Sequence, residues 1–210
     1  MHNGEKKSSN IFAVEHRIAT EDRWQRNNHR SGILWFTGLS GAGKTTLALE
    51  LERQLHLKGY QIYVLDGDNI RGGLNSDLGF SPEDRIENIR RIGEVATLFA
   101  DAGFIVIAAF ISPYRQDRRL ARKILPSRFH EVYLNSELKT CEKRDPKGLY
   151  RKARLGEIPD FTGVSAPYEA PENPELVINT NDQPVANCLA RLIDYAEREF
   201  GVPSALTGVA

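Results

Sequence analysis

Cysteine is almost missing from this chain: only Cys141 and Cys188 occur in 210 residues. They form no Cys-x-x-Cys pair, which excludes a zinc knuckle and a disulfide framework and fits reduced thiols in the cytosol. Neither sign of charge is in excess, since 28 basic residues balance 28 acidic ones. No global field therefore recruits nucleic acid or a membrane, and any anion site must be local. No apolar run reaches membrane-spanning length, and the N-terminus lacks the basic-then-apolar layout of a signal peptide. Internal repeats and low-complexity tracts are also absent. What remains, 40% hydrophobic and 27% charged residues, is the composition of one soluble globular domain with a full core.

The most informative stretch begins at Ile33-Leu34-Trp35-Phe36-Thr37, an apolar run of strand length. It meets Gly38-Leu39-Ser40-Gly41-Ala42-Gly43-Lys44-Thr45-Thr46, and a helical pattern of Leu47, Leu51 and Leu55 follows. Strand, glycine-rich loop and helix in that order make a P-loop, G-x-x-x-x-G-K-[ST]. By composition alone the motif arises in roughly one chain of this length in a hundred, and its context makes chance rarer. Glycines let backbone N–H groups and the helix N-terminus close on phosphate oxygens. Lys44 is placed to reach the outer phosphates and the Thr45 hydroxyl to ligate Mg2+. ATP binding is thus expected along residues 38–46.

In chain order, residues 1–10 are polar and expected to be mobile, and a charged arm or solvated helix runs to Arg30. After the P-loop helix, a second strand (61–65) ends in Asp66-Gly67-Asp68, with Arg71 and Gly72-Gly73 expected in a loop or short turn. Ser81-Pro82-Glu83-Asp84 reads as an N-cap, a first-turn proline and first-turn acids. The helix they open carries Ile86, Ile89, Ile92, Val95, Ala96 and Phe99 at helical spacing. Residues 104–111 are continuously apolar, as in a strand buried on both faces. Ser112-Pro113 is expected to cap a basic helix with Arg115, Arg118, Arg119 and Arg122. A fourth strand (129–134), a short helix (136–144), a fifth strand (175–179) and a final amphipathic helix (184–200) complete the pattern. Residues 145–174, rich in Pro, Gly and charge, are expected to form a lid. The domain thus spans residues 31–201, between an arm of residues 1–30 and a loose tail of 202–210. Alternating strands and helices predict an α/β, three-layer P-loop sandwich, a five-stranded parallel sheet with helices on both faces. Ligands then sit beyond the carboxyl ends of the strands, where the P-loop, Asp66/Asp68 and Ser112 converge.

A switch GTPase needs Asn-Lys-x-Asp, and motor ATPases generally carry a long strand ending in Asp-Glu; both are absent. A small chain with a lid and a basic second site is instead the layout of a metabolite kinase. Asp66 and Asp68 can orient or deprotonate an acceptor hydroxyl or hold Mg2+ through water, or can simply form a turn around Gly67. Arg71, Arg85 and Arg115 suit an anionic acceptor, although each alone reads as a surface arginine. Phe80 and Phe161, both in glycine-flanked loops, can stack on a base or belong to the core.

The set Gly38–Thr45, Asp66-Gly67-Asp68-Asn69-Ile70-Arg71, Leu78-Gly79-Phe80-Ser81 and Glu87-Asn88-Ile89-Arg90-Arg91 closely resembles the adenylylsulfate kinase family. Phe110-Ile111-Ser112-Pro113-Tyr114-Arg115, Asp145-Pro146-Lys147-Gly148-Leu149-Tyr150, Phe161-Thr162-Gly163 and Ala166-Pro167-Tyr168-Glu169 extend the match, in family order, over about residues 32–200. The resemblance implies transfer of the γ-phosphate of MgATP to the 3′-hydroxyl of adenosine 5′-phosphosulfate. It implies that Arg71, Arg85 and Asn88 hold the phosphosulfate and ribose, with Asp68, Ile111, Ser112, Arg115 and Thr162 around the acceptor. Phe80 and Phe161 match the pair that sandwich its adenine, and Arg144 and Lys147 fall near the nucleotides. Ser112 matches a serine often described as a phosphoserine intermediate, although direct in-line transfer needs no covalent stop. Family members are typically cytosolic dimers in sulfate assimilation, sometimes fused to ATP sulfurylase. Small departures are Ala42 and Thr45, where serines are common, and an added proline, Pro159, between residues 154 and 161. The alternatives are a P-loop kinase for another small anion, such as shikimate or gluconate, and a nucleotide-binding regulatory module without turnover.

Overall fold

The computed structural model describes Asn10, Phe12 and residues 14–202. The expectations of a mobile start and a loose tail therefore lie almost wholly outside the described residues. The centre is a five-stranded sheet of β1 (Gly32–Thr37), β2 (Ile62–Asp66), β3 (Ile105–Ala109), β4 (Phe129–Asn135) and β5 (Leu176–Asn179). The strand order is β2-β3-β1-β4-β5, and every pair is parallel. All six residues of β1 are buried, so its side chains feed both layers of the sandwich. Leu34 and Phe36 join the cluster made with α2 (Lys44–Leu57) and α8 (Val185–Phe200). Ile33 and Trp35 join the opposite cluster, with α4 (Pro82–Asp101) and α5 (Arg115–Ile124). Period-2 alternation thus sends successive residues to opposite cores. Each fully buried large aliphatic or aromatic side chain contributes about 1.5–3 kcal/mol.

The start of α4 follows its sequence signals. Ser81 is the N-cap and its Oγ accepts from the Asp84 N–H at 3.1 Å, with Pro82 in the first turn. Elsewhere the chain departs from expectation. Residues expected as a loop after Asp66 form a helix, α3 (Gly67–Gly72), because Asp66 caps it through the Asp68 N–H at 3.0 Å. Ser112 does not cap α5: that helix starts at Arg115 with Tyr114 as N-cap and no side-chain cap. Residues 145–174 are not structureless, since α7 (Leu149–Arg154) follows α6 (Leu138–Arg144) after a short turn. The Asp145 carboxylate starts α7 by accepting the N–H groups of Tyr150 and Arg151, at 3.0 and 3.1 Å. Residues 20–27 form α1 (Thr20–Asn27), fastened to the body by Asn27 Nδ2 on the Gly103 carbonyl and Trp24 Nε1 on Ser31 Oγ. Among the described residues, no helix is long and apolar enough to cross a membrane.

Gly93 is where α4 lies against α5. A β-carbon there would meet Ile124 Cδ1 at 2.8 Å and Ala121 Cα at 3.5 Å. Gly93→Val is expected to lower stability by about 1–3 kcal/mol through overpacking, read from the urea midpoint. An unchanged midpoint would mean that the two helices separate freely.

Candidate active site

The P-loop is wound by left-handed glycines. Gly41 has φ 75° and Gly43, the cap of α2, φ 93°. A β-carbon on Gly41 would also press to 3.0 Å from the Cys141 carbonyl oxygen, so α6 backs the loop. Lys44 bends back over the turn and donates from Nζ to the carbonyls of Gly38 and Leu39, each at 2.8 Å. Burial pushes its ammonium down to about 8, against the pull of nearby negative charge that includes Asp66 and Asp68. Thr45 Oγ1 donates to Asp66 Oδ2 at 2.8 Å. Both oxygens of Asp66 are thus engaged, one by the P-loop helix and one by α3. Asp68 is differently placed, with an exposed carboxylate paired to Lys147.

These groups open onto a single cleft of about 1210 Å³, more than a pocket for one drug-sized ligand of about 300–1,000 Å³ requires. Its donor end is lined by residues 40–46, Arg144, Thr180, Gln183 and Cys188, and its other end by Arg71, Phe80, Arg85, Asn88, Ile111, Ser112, Phe161 and Thr162. Of the residues singled out in the sequence, Gly38, Leu39 and Arg115 do not line the cleft. The first two act through the carbonyls that hold Lys44. Arg115 has other partners: its Nε donates to the Ala170 carbonyl at 2.7 Å and its Nη1 to Glu172 at 3.0 Å.

Arg85 joins the two segments that carry the phenylalanines. It donates to the Phe80 carbonyl at 2.9 Å, the Asp160 carbonyl at 2.8 Å and Thr162 Oγ1 at 3.3 Å. Phe80 is 69% exposed with the Arg71 guanidinium 4.4 Å over its ring, whereas Phe161 is 9% exposed and edge-on to Tyr150. Burial, with Arg85 close by, lowers the Arg71 pKa against the pull of Asp84.

Ser112 sits at φ 39°, in the left-handed region. Its Oγ accepts from Trp35 Nε1 at 3.1 Å and makes only a long contact, 3.5 Å, to the Phe110 carbonyl. The strained turn is held by its carbonyls: Ile111 O accepts from Thr37 Oγ1 at 2.8 Å and Ser112 O from Arg118 Nη1 at 2.7 Å. Trp35, Arg118, Thr180 and Cys188 were not visible as site residues in the sequence. A tryptophan in an aliphatic strand was the one available signal. Arg144, read from sequence as a nucleotide contact, spends its fork on the carbonyls of Thr180, Asn181 and Gly41, joining α6 to the end of β5. Asp117 lines the cleft, 3% exposed, with Oδ2 unpartnered among the described residues and a carboxyl pushed up by burial.

Residues 30–179 match the family described as adenylylsulphate kinase. The chain belongs to the adenylylsulfate kinase family. An adenylyl-sulfate kinase of Marinobacter nauticus is 54% identical over 91% of this chain and 98% of its own length. One of Bacillus pumilus is 56% identical over 87% and 93%. The solved APS kinase CysC of Mycobacterium tuberculosis, in complex with AMPPNP and APS, is similar with a TM-score of 0.77 and 50% identity, covering 80% of this chain and 98% of that one. The enzyme class is therefore an ATP-dependent kinase of adenylyl sulfate, on the parallel sheet that the family shares.

The unfolded chain holds the Lys44 proton up to about 10.5 and the folded one only up to about 8. Between those values the unfolded state binds more protons, so the contribution of Lys44 to stability rises with pH. Phosphate charge beside Nζ raises the pKa again. Binding of ATP at about pH 8.5 is expected to take up a fraction of a proton, measured by calorimetry in buffers of different ionisation enthalpy. Lys44→Met should abolish the uptake, and proton release by the wild type would contradict it.

Proposed function

We propose that the cleft aligns two nucleotides and moves the γ-phosphate of ATP directly to the 3′-hydroxyl of adenosine 5′-phosphosulfate, in sulfate activation. The observation that carries this reading is one continuous cleft with a P-loop at one end and, at the other, Phe80 and Phe161 joined through Arg85. That the similar M. tuberculosis kinase was solved with AMPPNP and APS supports it. Residues 38–46 hold the donor phosphates, with Lys44 neutralising the outer ones. Phe80 and Phe161 stack on the acceptor base, and Arg71, Arg85 and Asn88 receive its phosphosulfate and ribose.

Thr45 Oγ1 and Asp66 Oδ2, 2.8 Å apart, are hard oxygen donors at the P-loop. Among the described residues no cluster of three or more His, Cys, Asp or Glu could hold a metal ion. Few protein oxygens, completed by water and phosphate, suit Mg2+, and bound there it would spread the charge on the β- and γ-phosphates. Asp66 is tied on both oxygens, so Asp68 is the carboxylate free to orient the acceptor hydroxyl and take its proton. Lys147 must then exchange Asp68 for nucleotide, and we assign residues 145–174 as the lid of a kinase domain spanning 31–201, with 1–30 as an arm. Ser112 acts as a donor to anionic oxygen, since neither Trp35 N–H nor the Phe110 carbonyl can serve as the base a nucleophile needs. A homodimer and association with ATP sulfurylase follow from the resemblance alone. Free Cys141 and Cys188 and the ATP co-substrate suit the cytoplasm.

A coupled assay is expected to show ADP release that requires MgATP and adenosine 5′-phosphosulfate together; no release above background, with ATP binding intact, overturns the reading. Ser112→Ala should keep turnover within roughly a hundredfold of wild type, the scale of one lost transition-state donor. Complete loss in a folded variant would restore the covalent role.

A further inference from the structure

Two buried polar side-chain atoms have no partner among the described residues, Asp117 Oδ2 and Asn75 Oδ1. Asn75 is fully buried in the turn after α3, its N–H on the Ile70 carbonyl at 2.9 Å and its own carbonyl accepting from Leu78 N–H at 3.1 Å. Its Nδ2 donates to Asn88 Oδ1 at 3.0 Å. That is its single side-chain bond, and its oxygen is left orphaned. A buried amide oxygen without a donor destabilises a fold, whereas an apolar group of the same shape would not. An orphan of this kind calls for an explanation outside packing.

Asn88 supplies one. It is 4% exposed yet lines the acceptor end of the cleft. An amide offers two acceptor lone pairs at its oxygen and two donors at its nitrogen. Asn75 occupies the oxygen, and among the described residues no bond takes the Asn88 Nδ2 hydrogens. The amide is therefore turned so that it meets an incoming ligand as a donor. Had it turned the other way, its carbonyl would face the anion and repel it. The geometry points to Asn75 as a positioning residue: it fixes the flip of the Asn88 amide and so tunes the site for an acceptor rich in anionic oxygen. Because the backbone of Asn75 closes the turn after α3, which carries Asp68 and Arg71, while its side chain holds Asn88, one residue links two parts of the acceptor site. This inference rests on the adenylyl sulfate reading above.

The test is Asn75→Leu, which keeps the volume, removes the bond and leaves Asn88 Oδ1 without its donor. Steady-state kinetics should show the KM for adenylyl sulfate raised about tenfold, the scale of one hydrogen bond to a charged group. The KM for ATP should stay within about twofold. Equal changes in both KM values, or a KM for adenylyl sulfate within twofold of wild type, would overturn the role. Wild-type enzyme without turnover would instead overturn the function. The wild type gives an independent readout if the variant does not fold. In spectra of 15N-asparagine-labelled protein, adenylyl sulfate should shift the Asn88 side-chain amide protons and leave those of Asn75 in place; the reverse would show the opposite flip.

Discussion

The carboxylate of Asp66 is the joint on which the donor site turns. One oxygen accepts from Thr45, at the start of the P-loop helix, and the other from the Asp68 N–H, at the start of α3. The strand carrying it does not adjoin β1; β3 lies between them. The two hydrogen bonds therefore span the carboxyl edge of the sheet where its crevice opens, the place where parallel α/β sheets bind ligands. Charge-assisted bonds of this kind are each worth about 1.5–3 kcal/mol. Their larger effect is to set the distance between the loop that holds the donor and the helix that presents Asp68 and Arg71 to the acceptor.

The acceptor half is built on a different principle. Two of its arginines are committed to the protein's own carbonyls: Arg85 to Phe80 and Asp160, and Arg71 to Gly79. A guanidinium fixed by neutral carbonyls keeps its charge uncompensated, which leaves a field for an anion and costs no reorganisation when the anion arrives. The chain has zero formal net charge, so this field is local. Several of the described ion pairs lie along helix surfaces, such as Glu87 with Arg90 and Arg91, where they contribute little to stability.

The fold was legible because it is periodic. The apolar run over residues 104–111 and the 3.6-residue stripe of α4 state burial directly, and the P-loop states its own geometry. The site was legible where one residue type at one spacing has a single purpose, as at Lys44 and Thr45. It was not legible where the purpose depends on what folds beside it. Arg115 and Arg118 are three residues apart in one basic helix, yet one is drawn outward to Glu172 and the other is 2% exposed against Glu131. Sequence gives no ground to separate them. Ser112-Pro113 has the pattern of a helix cap and lacks the role, because Trp35 on the neighbouring strand takes the hydroxyl first. Asp66-Gly67-Asp68 reads as a turn, and only the capping bond makes it a helix.

Lys147 and Asp68 show how the two halves can be joined without being locked. Their pair crosses the mouth of the cleft with both side chains more than half exposed. An ion pair this wet is worth about 0–1 kcal/mol, too little to hold the segment shut. Phosphate oxygens are a stronger partner for the ammonium, and the acceptor hydroxyl is a natural partner for the carboxylate. In the proposed reaction the pair across the mouth of the cleft is therefore replaced by two contacts that need both nucleotides. The weakness of the bridge lets substrates compete for each of its ends.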